Sequence, residues 1–191
     1  HGYNSAYPAQ PTWFPGVLGV DVFFITSGFV MYYITADNWG KVGCFLLNRA
    51  IRIYPMYWIV TCYQVPALRI VGMAIIGNMT PRTEYFLKSL LLIPVLAPAT
   101  NTLMPPVEVG WTLFYEALFY LVFGLLQFGS RKYLTLKVLG VLGLAFIYGL
   151  SNEPNSLARI FLGNSVIFEF AVGCFLAKLF ILQEGAKKKL R

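Results

Sequence analysis

The sequence predicts an all-α fold, a polytopic transmembrane helix bundle, and three observations predict it. The 191 residues are 58% hydrophobic and 17% aromatic, with only 12% charged, about half the share usual in a soluble domain. The mean hydropathy is +0.65, more apolar surface than a soluble chain of this size can bury and no more than a bilayer accepts. The apolar residues also fall into runs near the ~20 residues that a spanning helix needs, with basic residues collected between the runs.

The runs are read in order. Gly16 to Thr35 is the first candidate span and carries Asp21. Ile53 to Gly77 is the second, with Arg69 inside it. Phe86 to Pro98 is apolar but short and flanked by prolines, which suits a re-entrant or interfacial segment. Trp111 to Phe128 is the third span and carries Glu116. Leu134 to Leu150 is the fourth. Ile160 to Leu182 is the fifth and carries Glu169 and Lys178. No internal repeat or low-complexity linker interrupts them, so residues 1–191 read as a single domain.

Orientation follows from basic residues in short connections. Lys41, Arg49 and Arg52 follow the first span, and Arg131, Lys132 and Lys137 follow the third. Lys187, Lys188, Lys189 and Arg191 follow the fifth, so these three regions hold ten of the fifteen basic residues. All three are cytoplasmic if the first span enters from outside and Phe86–Pro98 does not cross, which favours five crossings. The stretches 2–15, 78–85 and 151–159 then face outward. Tyr54, Tyr57, Trp58 and Trp111 fit an interfacial aromatic belt.

The net charge is +7 and the isoelectric point about 9.4. In a soluble protein that balance would suggest nucleic acid as a partner. Here the cations alternate with apolar runs, so the partner they indicate is the lipid bilayer, and we expect no nucleic acid. Cys44, Cys62 and Cys174 are far apart and form no metal-binding spacing, so they read as buried small apolar residues, and we expect no metal site. The chain begins with His and not Met, and we read it as a fragment lacking its N-terminal start; no signal peptide is visible.

Ionisable groups inside a membrane cost about 2.5–3.5 kcal/mol each on insertion scales, so each asks for a reason. Asp21, Arg69, Glu116 and Glu169 are the candidates. For Asp21 and Glu169 a structural ion pair or a helix end reaching water competes with a functional role. Arg69 reads as snorkelling to the outer interface. Glu116 is the strongest functional candidate, because Trp111, Thr112, Tyr115 and Glu116 cluster aromatic and polar groups that lipid contact alone would not need. Arg49 and Arg52 are three apart and share a helical face. They form either a fork for phosphates or plain positive-inside topology. His1 is the only histidine and the natural general base if the chain has one. No Gly-x-Ser-x-Gly elbow, Walker loop or zinc motif occurs.

Four strings resemble one family. Gly19-Val-Asp21-Val-Phe-Phe24-Ile-Thr-Ser27-Gly28-Phe29 resembles the second-helix signature of the acyltransferase-3 family of membrane O-acyltransferases. Phe45-Leu-Leu-Asn-Arg49-Ala-Ile-Arg52-Ile-Tyr54-Pro55-Met-Tyr57-Trp58 resembles its Arg-x-x-Arg motif and the start of the next helix. Gly110-Trp111-Thr-Leu-Phe-Tyr115-Glu116-Ala-Leu-Phe119-Tyr120 resembles its Trp-Ser/Thr-Leu-x-x-Glu segment. Asn164-Ser-Val-Ile-Phe-Glu169-Phe-Ala-Val-Gly173 resembles a later stretch. The third string, with Ala117 and not a second acid after Glu116, looks most like the subgroup that acylates bacterial exopolysaccharides.

The resemblance implies a larger bundle than this chain holds, with a catalytic His near the end of the first helix, where His1 falls. It implies transfer of an acyl group, usually acetyl from acetyl-CoA, to a sugar hydroxyl of an envelope polysaccharide or glycolipid at the bacterial inner membrane. Acyl-CoA is then a substrate, with no bound cofactor. The expected roles are Arg49 and Arg52 on the coenzyme's phosphates, and His1 as general base or transient acyl carrier. Glu116 or Asp21 would orient His1 or pair with an arginine. The arginines or Trp111 would serve as oxyanion donors, and Tyr115 and Glu169 join the site as further members. Two rivals are a transporter or flippase subunit, whose intramembrane acids would line a path for protons or sugars, and a non-catalytic membrane scaffold. The scaffold predicts that His1, Arg49 and Arg52 can be changed without loss of function.

Overall fold

The computed structural model describes the backbone of residues 15–36, 39–75, 83–97, 101–107 and 110–189. Every regular element among them is helical: α1 (Pro15–Ile34), α2 (Val42–Ile75), α3 (Thr83–Leu90), α4 (Gly110–Leu126), α5 (Leu134–Ser151), α6 (Leu157–Leu162) and α7 (Ile167–Lys189). A 3-10 turn, Arg131–Tyr133, leads into α5. The all-α expectation holds for the described residues. Among the described residues two stretches, Arg131–Ser151 and Leu157–Glu184, are long and apolar enough to cross a bilayer, while Leu18–Ile34 and Gly110–Leu126 are apolar but shorter. That is fewer than the five crossings expected.

Three boundaries differ from the sequence reading. The segment carrying Arg49 and Arg52 is not a loop: α2 begins at Val42, and only Lys41 stays in the connection. Apolarity marks where lipid contact can begin, whereas Leu46, Leu47, Arg49 and Ala50 are good helix formers whatever their charge. The fifth span is broken between Leu162 and Ile167. Gly163 ends α6, and the Asn164 side chain accepts from the Val166 amide at 3.1 Å, the local bond with which Asn competes against a continuing helix.

The third difference is Phe86–Pro98, which is helical only to Leu90. The Ile93 amide bonds the Lys88 carbonyl at 2.9 Å and the Leu92 amide bonds the Ser89 carbonyl at 3.0 Å, a Schellman cap. Its left-handed position is Leu92, at φ 55°, and not the usual Gly. That conformation costs a non-glycine residue about 1–2 kcal/mol, and Leu92 in return buries its side chain almost fully. Carbonyls at this helix end also accept from side chains of α2. Tyr57 Oη donates to Ser89 O at 3.0 Å, Trp58 Nε1 to Leu90 O at 2.9 Å, and Tyr54 Oη to Leu91 O at 3.1 Å. Three of the four residues expected in an aromatic belt, Tyr54, Tyr57 and Trp58, thus cap α3 and fix residues 89–91 beside α2.

α4 lies at the centre, in contact with α1, α2 and α5. Its Phe119 stacks on Phe170 of α7 with ring centroids 4.6 Å apart and meets Phe24 of α1 edge-on at 5.4 Å. α1 and α7 pack most closely, with Gly28 and Gly173 at their crossing, as small residues allow helix backbones to approach. The outward faces are apolar: Leu144 is 70% and Ile147 64% exposed.

Tyr115, fully buried, ties α4 to α6 through its hydroxyl, which donates to Phe161 O at 2.9 Å. Phe161 lies in the last turn of α6, where carbonyls lack helical partners. Tyr115→Phe is expected to cost about 1–3 kcal/mol by stranding that carbonyl, read as a lower Tm of the purified protein. An unchanged Tm would show that α6 finds another donor.

Candidate active site

The α2–α4 interface gathers the polar groups. Glu116 and Tyr120 lie one turn apart on α4 and share a face. The Tyr120 hydroxyl donates to Glu116 Oε1, and both side chains are buried. Opposite them, the Arg49 guanidinium lies 5.5 Å from the Phe45 ring centroid and 5.8 Å from that of Tyr120, within cation–π range. Arg49 is only 9% exposed, and its buried Nε has no hydrogen-bond partner. A buried donor on a charged group left in that state is expensive, so the site asks for an acceptor. Arg52 is exposed on the next turn, and both arginines attract the Glu116 carboxylate.

Cavities surround this cluster. One of about 440 Å³ has Arg49 and Tyr120 as its polar end and walls that include Leu46, Ile53, Leu92 and Phe114. A second, of about 400 Å³, holds Arg52 and Glu116 with Phe23, Tyr57 and Gly110. A third, of about 280 Å³ against α1, holds Thr26, Ser27, Arg52, Glu116 and Tyr120. Arg49 and Arg52 therefore line different cavities, with the acid and phenol of α4 between them. This arrangement can hold an anionic ligand near Arg49, polarise a carbonyl, and keep a carboxylate fixed by Tyr120 close to reacting atoms.

The other residues singled out from sequence lie elsewhere. Asp21 on α1 faces Glu169 on α7, not Glu116, and Glu169 Oε2 is buried without a hydrogen-bond partner. Trp111 is half-buried with its ring 6.0 Å from Tyr115, edge-on, and Tyr115 spends its hydroxyl on α6. His1 and the side chain of Arg69 lie outside the described residues. Sequence reasoning assigned no role to Tyr120. Its signal was the i, i+4 spacing from Glu116.

The whole chain, residues 1–191, matches the acyltransferase-3 family, described as an acyltransferase domain. The chain belongs to the acyltransferase-3 family. It is also 32% identical over 166 residues to the exopolysaccharide production protein ExoZ of Rhizobium meliloti (strain 1021), an alignment covering 87% of this chain and 51% of that protein. The chain thus spans about half the length of the curated relative it matches. No solved structure matches it. In this acyltransferase-3 chain the four quoted strings meet in pairs. Those on α2 and α4 form the Arg49–Glu116–Tyr120 cluster, and those on α1 and α7 form the Gly28–Gly173 seam with Asp21 and Glu169.

Proposed function

We propose that this chain is part of an integral, multi-pass membrane O-acyltransferase that moves an acyl group, acetyl in the simplest case, from acyl-CoA to a sugar hydroxyl of an exopolysaccharide or related envelope glycan. Residues 1–191 act as one acyltransferase domain in the plasma (inner) membrane. The family supports the acyl transfer, the exopolysaccharide relative supports the acceptor class, and the apolar outward faces support the bilayer. The single observation that carries the donor side is the buried Arg49 Nε without a partner, which an anion or carbonyl oxygen of the donor satisfies.

In this reading Arg49 and Arg52 grip separate anionic parts of acyl-CoA, in keeping with their separate cavities. The acceptor hydroxyl oxygen adds to the thioester carbonyl while its proton passes to His1. Arg49, Arg52 or Trp111 donates to the developing oxyanion. Collapse breaks the carbon–sulfur bond, and the proton leaves with the coenzyme thiol. In the covalent variant His1 first takes the acyl group and then yields it to the sugar. Glu116, held by Tyr120, balances the arginines or orients the base, and Asp21 is the alternative orienting acid. Tyr115 and Glu169 act from outside the cavities, Tyr115 by tying α4 to α6 and Glu169 beside Asp21.

The test uses membrane vesicles containing the full-length protein, radiolabelled acetyl-CoA and envelope polysaccharide. Alkali-labile label is expected in the polysaccharide, and its loss in Arg49→Ala and His1→Ala variants of normal abundance. Transfer that persists in His1→Ala removes that residue's role. No transfer in any vesicle, with several acceptors tried, turns the assignment to a transporter or scaffold.

A further inference from the structure

A further cavity, of about 330 Å³, opens at the start of α2 and is lined by Thr35, Lys41, Cys44, Asn48 and Arg49 among others. Arg49 also lines the 440 Å³ apolar cavity, so one buried guanidinium forms part of the wall of a polar chamber and of an apolar one. The donors of the polar chamber come from α2 and from the connection that leads into it. Lys41 brings an ammonium, and Asn48 brings an amide whose Nδ2 has only a weak 3.7 Å contact to Cys44 Sγ. Thr35 uses its proton on Met31 O at 2.7 Å and leaves only lone pairs. The first turn of α2 carries no acidic residue, so its free amides and the helix dipole add positive potential there. The second observation is Arg49 itself, nine-tenths buried and with its Nε still without a partner.

We propose that this chamber is a phosphate-binding site for the anionic half of the donor, with Lys41 and Asn48 as binding residues beside Arg49, and that the adjoining apolar cavity takes the uncharged arm. The assignment rests on the acyl-CoA reading above. It adds two ligand-binding residues, Asn48 one turn before Arg52 on α2 and Lys41 just before the start of that helix, and it assigns Arg52 to a different part of the ligand. The ligand chemistry is a phosphate ester, which either a coenzyme or an anionic lipid headgroup could present.

The test measures coenzyme A binding to the full-length protein in nanodiscs of zwitterionic lipid, by calorimetry at low and high salt. Lys41→Ala and Asn48→Leu, both at exposed positions, are expected to weaken coenzyme A by about tenfold and about threefold, as loss of a charge-assisted and a neutral hydrogen bond would. Salt should narrow the Lys41 difference. Pantetheine, which lacks the phosphates, should bind wild type and variants alike. Coenzyme A binding at wild-type strength in both variants overturns the proposal while leaving the donor reading intact. Variants that instead lose only co-purifying phosphatidylglycerol in anionic nanodiscs assign the chamber to a lipid headgroup and overturn it as a donor site. Wild-type protein that binds no coenzyme A overturns both readings.

Discussion

Gly173→Leu is expected to abolish accumulation of folded protein, and Gly173→Ala to lower it sharply. A Cβ built at Gly173 falls 2.8 Å from the Phe29 amide nitrogen and 2.9 Å from the Ile25 carbonyl carbon, and closer still to the Ile25 oxygen. One at Gly28 falls 3.0 Å from the Phe170 carbonyl carbon and 3.1 Å from the Cys174 amide nitrogen. These neighbours are backbone atoms of the opposing helix, so no rotamer change makes room. The helices must separate, and separation loosens Phe24, Phe119 and Phe170, which are all fully buried. Overpacking a core costs typically about 1–3 kcal/mol, and a seam blocked from both sides lies at or beyond the upper end of that range. Gly140 on α5 is the control, with no atom within 4 Å of its built Cβ; Gly140→Ala should be neutral or slightly stabilising. Abundance and size-exclusion profile in detergent provide the readout. A monodisperse Gly173→Leu protein at wild-type yield would show that α1 and α7 do not pack as described.

The seam also shows what a sequence can disclose. Apolar run length gave α1, α4 and α5 nearly to their ends: Gly16–Thr35 against Pro15–Ile34, Trp111–Phe128 against Gly110–Leu126, and Leu134–Leu150 against Leu134–Ser151. Run length reads lipid exposure and cannot see a single capping side chain, so the Asn164 break passed unnoticed. For the same reason the charged start of α2 looked like a loop. Within the candidate site, Glu116 was legible because a lone acid in an apolar helix is costly, and Arg49 and Arg52 because of their spacing. The approach of Asp21 to Glu169 was not legible, since it depends on two helices far apart in sequence crossing at two glycines. Nor was the division of the two arginines between cavities, which depends on how α4 packs against α2.

Glu116→Gln is expected to reduce acyl transfer by about 10²–10⁴-fold, the range for loss of a positioned acid or base, in a protein that still folds. Glutamine keeps the volume and can still accept from Tyr120, so the α4 core of Phe114, Phe119 and Phe123 survives. What is lost is the negative charge between Arg49 and Arg52. Glu116→Ala goes further. It strands the buried Tyr120 hydroxyl, a change of the kind that costs about 1–3 kcal/mol, and this variant should lose yield as well as activity. Tyr120→Phe separates the two effects. It keeps the carboxylate but frees its orientation, and should lower kcat by about tenfold with little change in the donor KM. Arg49→Ala should instead raise the donor KM, because its guanidinium lines the proposed donor cavities and does not hold the carboxylate in place. The measurement is kcat and KM for acyl-CoA in vesicles, with each variant's abundance matched by immunoblot. Glu116→Gln with wild-type kcat would reduce Glu116 to a structural counter-charge and leave the reacting proton to groups outside the α2–α4 interface.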